Sequence, residues 1–243
     1  RGLRFFEAAE AVANGEKSYM ANVMLLQRLV RAGWVIKLQR DRYGLCRDGE
    51  WLHPLAVGRE LCGGSGYYVS HGSAMAVWGM ADPTYPQGKG EEENVVTISL
   101  TDGRRMRKRT VLGWDYQFVA DAEIAERRLV GRKEKPSPWK EVEVELGEGE
   151  RVWVSDPEWT IVCGLGRPDL CGGVRAVADG LGRWRERIDL EKLMRYAMHI
   201  RNRTAARRLG FLLDELRMGN EATRAWLELT VKRYYGKLEP GQP

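Results

Sequence analysis

The chain has 243 residues, 43% of them hydrophobic and 30% charged, enough to bury a real core and to divide into one small and one larger domain. Its formal net charge of +5 and isoelectric point near 9.0 favour polyanionic partners over acidic small substrates. No apolar run approaches the roughly 20 residues of a bilayer crossing and no signal-peptide pattern is visible, so a cytoplasmic protein is expected, although a chain opening on Arg1 can have lost a preceding segment. Cys46, Cys62, Cys163 and Cys171 form no CxxC pair, and only His53, His71 and His199 are available to join them. The expectation is reduced, mostly buried thiols, with no metal and no cofactor.

Residues 3–13 combine strong helix formers with apolar Leu3, Phe6, Ala9 and Ala13 at helical spacing, which predicts a helix ending at Asn14-Gly15. A second helix is predicted from the N-cap residue Ser18 to Ala32, stopped by Gly33. Two helices about a short glycine-bearing turn make a helix-turn-helix. Trp34, Ile36 and Leu38 then alternate with Val35, Lys37 and Gln39, and Arg40-Asp41-Arg42 turns the chain into Tyr43-Gly44-Leu45, a short basic β-hairpin. A helix-turn-helix followed by such a hairpin is the winged variant, so residues 1–62 read as a winged helix-turn-helix DNA-binding domain.

A helix and linker span 51–65, and Gly63-Gly64-Ser65-Gly66 marks the domain boundary. In the second domain, 63–243, strands are predicted at 67–70, 95–100, 110–112, 116–119, 142–146 and 151–154, with a small-residue helix at 73–80. Loops at 88–93 and 132–139 are polar or charged. Beyond Asp156-Pro157 the pattern turns helical at 158–164, 173–180, 190–200, 204–218 and 221–235. Strands followed by a run of helices imply an α+β fold with a mixed or antiparallel sheet.

In the second helix Val23, Leu26, Leu29 and Val30 fall on one face, as a helix resting on its own domain requires. The other face is left for the major groove. Lys17, Ser18, Tyr19, Asn22 and Arg28 can bond phosphates or read base edges, Asn suiting adenine and Arg guanine. Lys37, Arg40 and Arg42 on the hairpin would anchor phosphates. Basic residues recur at Arg183, Arg185, Arg187, Lys192, Arg195, Arg201, Arg203, Arg207 and Arg208; they are either solvated helix faces or a docking face for an acidic protein or nucleic acid, with Arg195, Arg201, Arg203, Arg207 and Arg208 the partner-binding candidates. Catalytic signals are thin. Cys163 with His71 or His199 would make a thiolate pair only if the fold joined them, and Asp115, Asp121, Glu123 and Glu126 would make a nuclease-like metal site only if they converged.

The order of segments resembles the AbiEi-type antitoxins of type IV toxin-antitoxin systems, described as predicted transcriptional regulators. LVRAGWVIKLQRDRYGL (29–45) is similar to the end of that family's winged helix, and YYVSHGSAMAVWGM (67–80) resembles the opening of its second domain, with Ser70, Ser73, Ala74 and Gly79 in order. VSDPEWTIVCGLGRPDLCGG (154–173) resembles a segment in which Trp159 and Cys163 here replace the usual Arg and Asp. LMRYAMHIRNRTAARRLGFLLDEL (193–216) carries Tyr196, Arg208, Leu209, Gly210 and Leu213 of the family's C-terminal helices. The resemblance implies an autorepressor that binds double-stranded DNA repeats in its own promoter, while its C-terminal domain neutralises a nucleotidyltransferase-like toxin, as monomer or dimer. Two alternatives stay open: a nuclease or nucleotidyltransferase targeted by the winged helix, and a protein-interaction module.

Overall fold

A computed structural model describes residues 5–8, 19–46, 52–81, 94–121, 140–147, 149–200, 202–219, 221, 223, 225 and 226, with backbone alone at 19–22. In chain order they form β1 (Phe5–Glu7), α1 (Tyr19–Arg31), β2 (Val35–Gln39), β3 (Arg42–Leu45), α2 (Pro54–Leu61), β4 (Tyr67–Val69), α3 (His71–Val77), β5 (Val95–Leu100), β6 (Arg109–Val111), β7 (Trp114–Ala120), β8 (Glu141–Gly147) and β9 (Glu150–Ser155). Then follow α4 (Pro157–Gly166), a 3-10 turn, α5 (Val174–Arg183), α6 (Leu190–His199) and α7 (Arg203–Glu215). The fold is α+β: a small N-terminal three-stranded sheet with helices, a six-stranded mixed sheet, and C-terminal helices.

The first segment departs from expectation. Phe5–Glu7 is a strand, not part of a helix, and pairs antiparallel with β3, giving the small sheet the order β1-β3-β2. Tertiary pairing overrides propensity here: Phe5 and Phe6 serve opposite faces, Phe5 packing with Leu38 and Leu52, and Phe6 stacking on Tyr43 at 5.8 Å between ring centres. The rest of that predicted helix, the Asn14-Gly15 stop and the predicted helix over 221–235 lie outside the described residues or largely so.

The small sheet is covered on both faces. Leu26, Val35 and Tyr43 form one apolar cluster under α1, joined by Phe6, Leu29 and Val30. Phe5, Leu38 and Leu52 face the other way, into a cluster shared with α2 and with Tyr67, Val69, Ile98, Tyr116 and Val154 of the large sheet. Simple alternation therefore fails along β2: Val35 is buried while Trp34 is 54% exposed, and a bulge between Lys37 and Gln39 resets the register.

The large sheet runs β6-β7-β5-β4-β9-β8, with β5·β7 and β4·β9 parallel and the rest antiparallel. Its other face meets the C-terminal helices in a second core containing Tyr68, Trp159, Ile161, Leu165, Val177, Leu193 and Leu209. Helix α4, PEWTIVCGLG, is apolar round its circumference and nearly wholly buried, as a helix at the centre of its layer must be. It starts at Asp156, which accepts from the Trp159 N–H at 2.7 Å, with Pro157 in the first turn. Asp189 and Asn202 cap α6 and α7 in the same way.

Candidate nucleic-acid interface

Helix α1 turns to the small sheet the face its spacing predicts: Leu26 is buried and Val23, Leu29 and Val30 are half-buried. Met24, Leu25, Gln27, Arg28 and Arg31 are left exposed or half-exposed on the outer side. Arg28 and Arg31 fall in the last turn, where positive charge suits the exposed carbonyl end of the helix. Gly33, at a φ of 76°, reverses the chain into β2 in a conformation that glycine adopts without strain.

The hairpin that follows carries the basic residues in two different environments. Lys37 is exposed, its ammonium 6.0 Å from the Tyr43 ring centre. Arg40 sits at the tip with its side chain 96% exposed and only a loose 3.7 Å contact to Asp41. Arg42 is 27% exposed, and its Nε lies 2.6 Å from a carboxylate oxygen of Glu60 on α2, a charge contact without hydrogen-bond alignment. Glu60 is buried and also meets Arg59 Nε at 2.8 Å, while its main-chain carbonyl accepts from the Gln39 amide. A buried carboxylate is costly unless cations answer it, so the Arg42 guanidinium is committed to fastening the hairpin to α2. Of the three hairpin cations expected to anchor phosphates, Arg42 is the one that lies against a buried acid. Glu60 is a residue that sequence reasoning missed; its only signal is an acid amid the apolar residues of a short helix.

The remaining sequence candidates are placed unevenly. Lys17 and Ser18 lie outside the described residues or have side chains that are not described, and Tyr19 and Asn22 open α1 with side chains that are likewise not described. Arg195 and Arg203 are exposed on α6 and α7. Arg207 is half-buried, Arg201 lies outside the described residues, and Arg208 donates to the Leu165 carbonyl at 2.6 Å, tying α7 to the end of α4. Arg208 thereby satisfies one of the orphan carbonyls of a buried helix end, a structural duty.

The groups considered for chemistry do not converge. Asp115 and Asp121 stand at opposite ends of β7, roughly 20 Å apart at strand rise, and each already meets a lysine: Asp115 meets Lys108 at 2.7 Å, Asp121 meets Lys140 at 2.7 Å. Glu123 and Glu126 lie outside the described residues. Asp121 and Lys140 are fully buried, and Asp121 accepts from Tyr68 Oη, which in turn accepts from the Trp159 indole N–H at 2.9 Å. The Lys140 ammonium also stands 5.0 Å from the Trp159 ring centre. This sealed polar knot has no face toward solvent. Burial pushes the Cys163 thiol well above its ordinary pKa, and the charged groups felt there are Asp121, Lys140 and Asp156. His71 is also buried, but its Nδ1 lies against Ser70 Oγ at 2.9 Å and no hydrogen bond joins it to Cys163, and His199 is exposed at the end of α6. Among the described residues no three His, Cys, Asp or Glu side chains are grouped to hold a metal ion, and no helix is long and apolar enough to cross a membrane.

Fold and surface together define an α+β protein whose small sheet, with α1 on one face, is fastened through α2 to a larger mixed sheet backed by helices. Among solved structures, this chain is similar in fold to the crystal structure of the Rv2827c protein from Mycobacterium tuberculosis, at a TM-score of 0.58 and 16% sequence identity, covering 93% of this chain and 76% of that one. No protein-family description matches the sequence, and no curated protein matches it significantly.

Proposed function

We propose that this chain is a DNA-binding transcriptional regulator whose N-terminal unit is a winged helix, acting as an AbiEi-like antitoxin that represses its own operon and neutralises a nucleotidyltransferase-like toxin. The observation that carries the reading is α1 leading through Gly33 directly into the β2–β3 hairpin, in a sheet of order β1-β3-β2, with Arg28, Lys37 and Arg40 exposed on the outer side. Among the described residues Arg28 and Lys37 have no acidic partner, which leaves their charge available to phosphate. In this reading α1 enters the major groove by way of Ser18, Tyr19 and Asn22, and Arg28, Lys37 and Arg40 hold the backbone.

The test is a salt-dependent titration against DNA from immediately upstream of the chain's own gene, with an unrelated duplex of equal length beside it. A regulator prefers its own sequence by about a thousandfold or more. Equal, weak binding to both would remove the specific regulator.

A second reading, a protein-interaction module, is favoured by two observations. Arg42 is spent on Glu60 rather than offered to solvent, and the outer side of α1 and the start of β2 expose Met24, Leu25 and Trp34. Apolar side chains at that density are found on surfaces that bind protein as well as on those that meet thymine methyl groups.

A further inference from the structure

The connection from β5 to β6 is the most basic stretch of the chain that the reading above does not use. Residues 103–109 read GRRMRKR, five arginines and lysines in seven positions. Two of these charges are answered. Arg104 Nε meets Asp102 at 3.0 Å, with its Nη2 donating to the Ser65 carbonyl at 2.6 Å, and Lys108 meets Asp115 at 2.7 Å. Arg105, Arg107 and Arg109 are exposed and have no acidic partner among the described residues.

The loop is held in place rather than trailing in solvent. Because β7 lies between β5 and β6 in the sheet, the connection has to cross β7. Met106 packs in the core that α2 and the small sheet share with the large sheet, so the crossing is on the face that carries the N-terminal unit. Met106 turns inward while Arg105 and Arg107 on either side of it turn out. Arg104 reaches the turn that ends α2, and Glu60 near the same end of α2 holds Arg42 of the hairpin. On β8, at the opposite edge of the sheet, Glu143 and Glu145 both meet Arg151, at 3.2 and 4.0 Å, and among the described residues no other cation is paired with them. Part of the net charge of +5 is thus carried by the run 103–109, at the β6 edge of the face that bears the hairpin.

We propose that Arg105, Arg107 and Arg109 form a second backbone-binding strip that grips duplex phosphates beside the segment bound by α1 and the hairpin. The strip reads no sequence; it adds sequence-independent affinity and fixes the orientation of the duplex across α2. This rests on the DNA-binding reading above and extends it to the large sheet. Three guanidiniums held on a packed loop and on the first residue of β6 lose little freedom on meeting phosphates, and their strength there falls with salt as counterions return to the duplex.

The experiment uses the full chain with R105Q/R107Q/R109Q, beside a hairpin variant, Lys37→Gln with Arg40→Gln, both compared with wild type by thermal unfolding before titration. The strip variant is expected to weaken binding to the upstream duplex and to the unrelated one by the same factor, on the order of tenfold, and to lower the slope of log affinity against log salt by roughly 3, about one for each phosphate that is no longer neutralised. An unchanged slope in the strip variant, with a reduced slope in the hairpin variant, overturns the strip and leaves the DNA-binding reading standing. Wild type without salt-dependent duplex binding overturns both. If the strip variant keeps its DNA affinity but loses self-association in sedimentation, the strip meets the acidic β8 edge of a second copy, and the phosphate assignment is wrong.

Discussion

His71 occupies a left-handed backbone position, φ 53°, at the turn from β4 into α3, where a non-glycine residue is strained but histidine is among the more tolerant types. Its ring is buried, with Nδ1 2.9 Å from Ser70 Oγ, and Ser70 Oγ accepts from Ser99 Oγ at 2.9 Å. Burial, helped by the charge of Arg167, lowers its pKa from 6.5 to about 4. The native state therefore holds a neutral imidazole that the unfolded chain protonates below about pH 6.5. Stability contributed by keeping it neutral is fully present above pH 6.5 and is lost progressively as pH falls toward 4, by about 3 kcal/mol in total. Denaturant midpoints measured across that window should fall in wild type, and His71→Asn, which keeps a residue able to adopt the turn, should flatten the dependence. An equal slope in both proteins would place the titrating group elsewhere.

At the scale of elements, the hairpin separates charges that look alike in sequence. Lys37, Arg40 and Arg42 lie within six positions on one short hairpin, yet Arg42 neutralises a buried carboxylate and the other two do not. Arg42→Ala should destabilise the protein by about 2 kcal/mol, somewhat below the cost of breaking a fully buried pair because Arg59 still reaches Glu60 and Arg42 is partly solvated. Lys37→Ala with Arg40→Ala should leave the unfolding midpoint within about 0.5 kcal/mol, as changes at exposed sites do, and lower the salt slope of DNA binding by about 2. Similar midpoints for the two variants would mean that the Arg42–Glu60 contact carries no stability. The neighbouring elements show the same division. The strands at 95–100 and 142–146 and the helices predicted at 158–164, 173–180, 190–200 and 204–218 stand within a few residues of their predicted bounds, with local signals to match: β-branched runs in strands, and Asp156-Pro157, Asp189 or Asn202 at helix starts. The strand at Phe5–Glu7 has no such signal, since FFEAAEAVA is a helical string on local grounds and only β3 makes its first residues a strand.

For the molecule as a whole, the boundary expected at Gly63-Gly64-Ser65-Gly66 coincides with a tight turn, Gly63, Gly64 and Gly66 all at positive φ, but apolar packing runs straight past it. Phe5, Leu38, Leu52, Leu55, Val57 and Leu61 share one core with Tyr67, Val69, Ile98, Leu100 and Tyr116. Gly58 on α2 lies so close to the sheet that an added Cβ would stand 2.7 Å from Ile98. Arg59 bridges the two parts as well, meeting Glu60 on its own helix and Glu150 at 2.6 Å on β9. Chemical denaturation followed by tryptophan fluorescence and by far-ultraviolet circular dichroism should therefore give one coincident transition, and residues 1–62 expressed alone should not reach a folded state. Two separated transitions, or a folded 1–62 fragment, would show that this shared core contributes little.

What the sequence determined by itself is what depends on neighbours along the chain. These are the α+β class, the buried face of α1 through Val23, Leu26, Leu29 and Val30, the glycine stop at Gly33, and the basic hairpin. Only the tertiary structure decided which charges remain available. It buried Glu60 and so claimed Arg42, placed Arg208 on a helix-end carbonyl, set Asp115 and Asp121 apart along β7, and brought the loop carrying Arg105, Arg107 and Arg109 to the face that bears the hairpin. The physical reason is that helix and strand patterns arise from local periodicity, whereas the state of a charge depends on its desolvation and on partners tens of residues away.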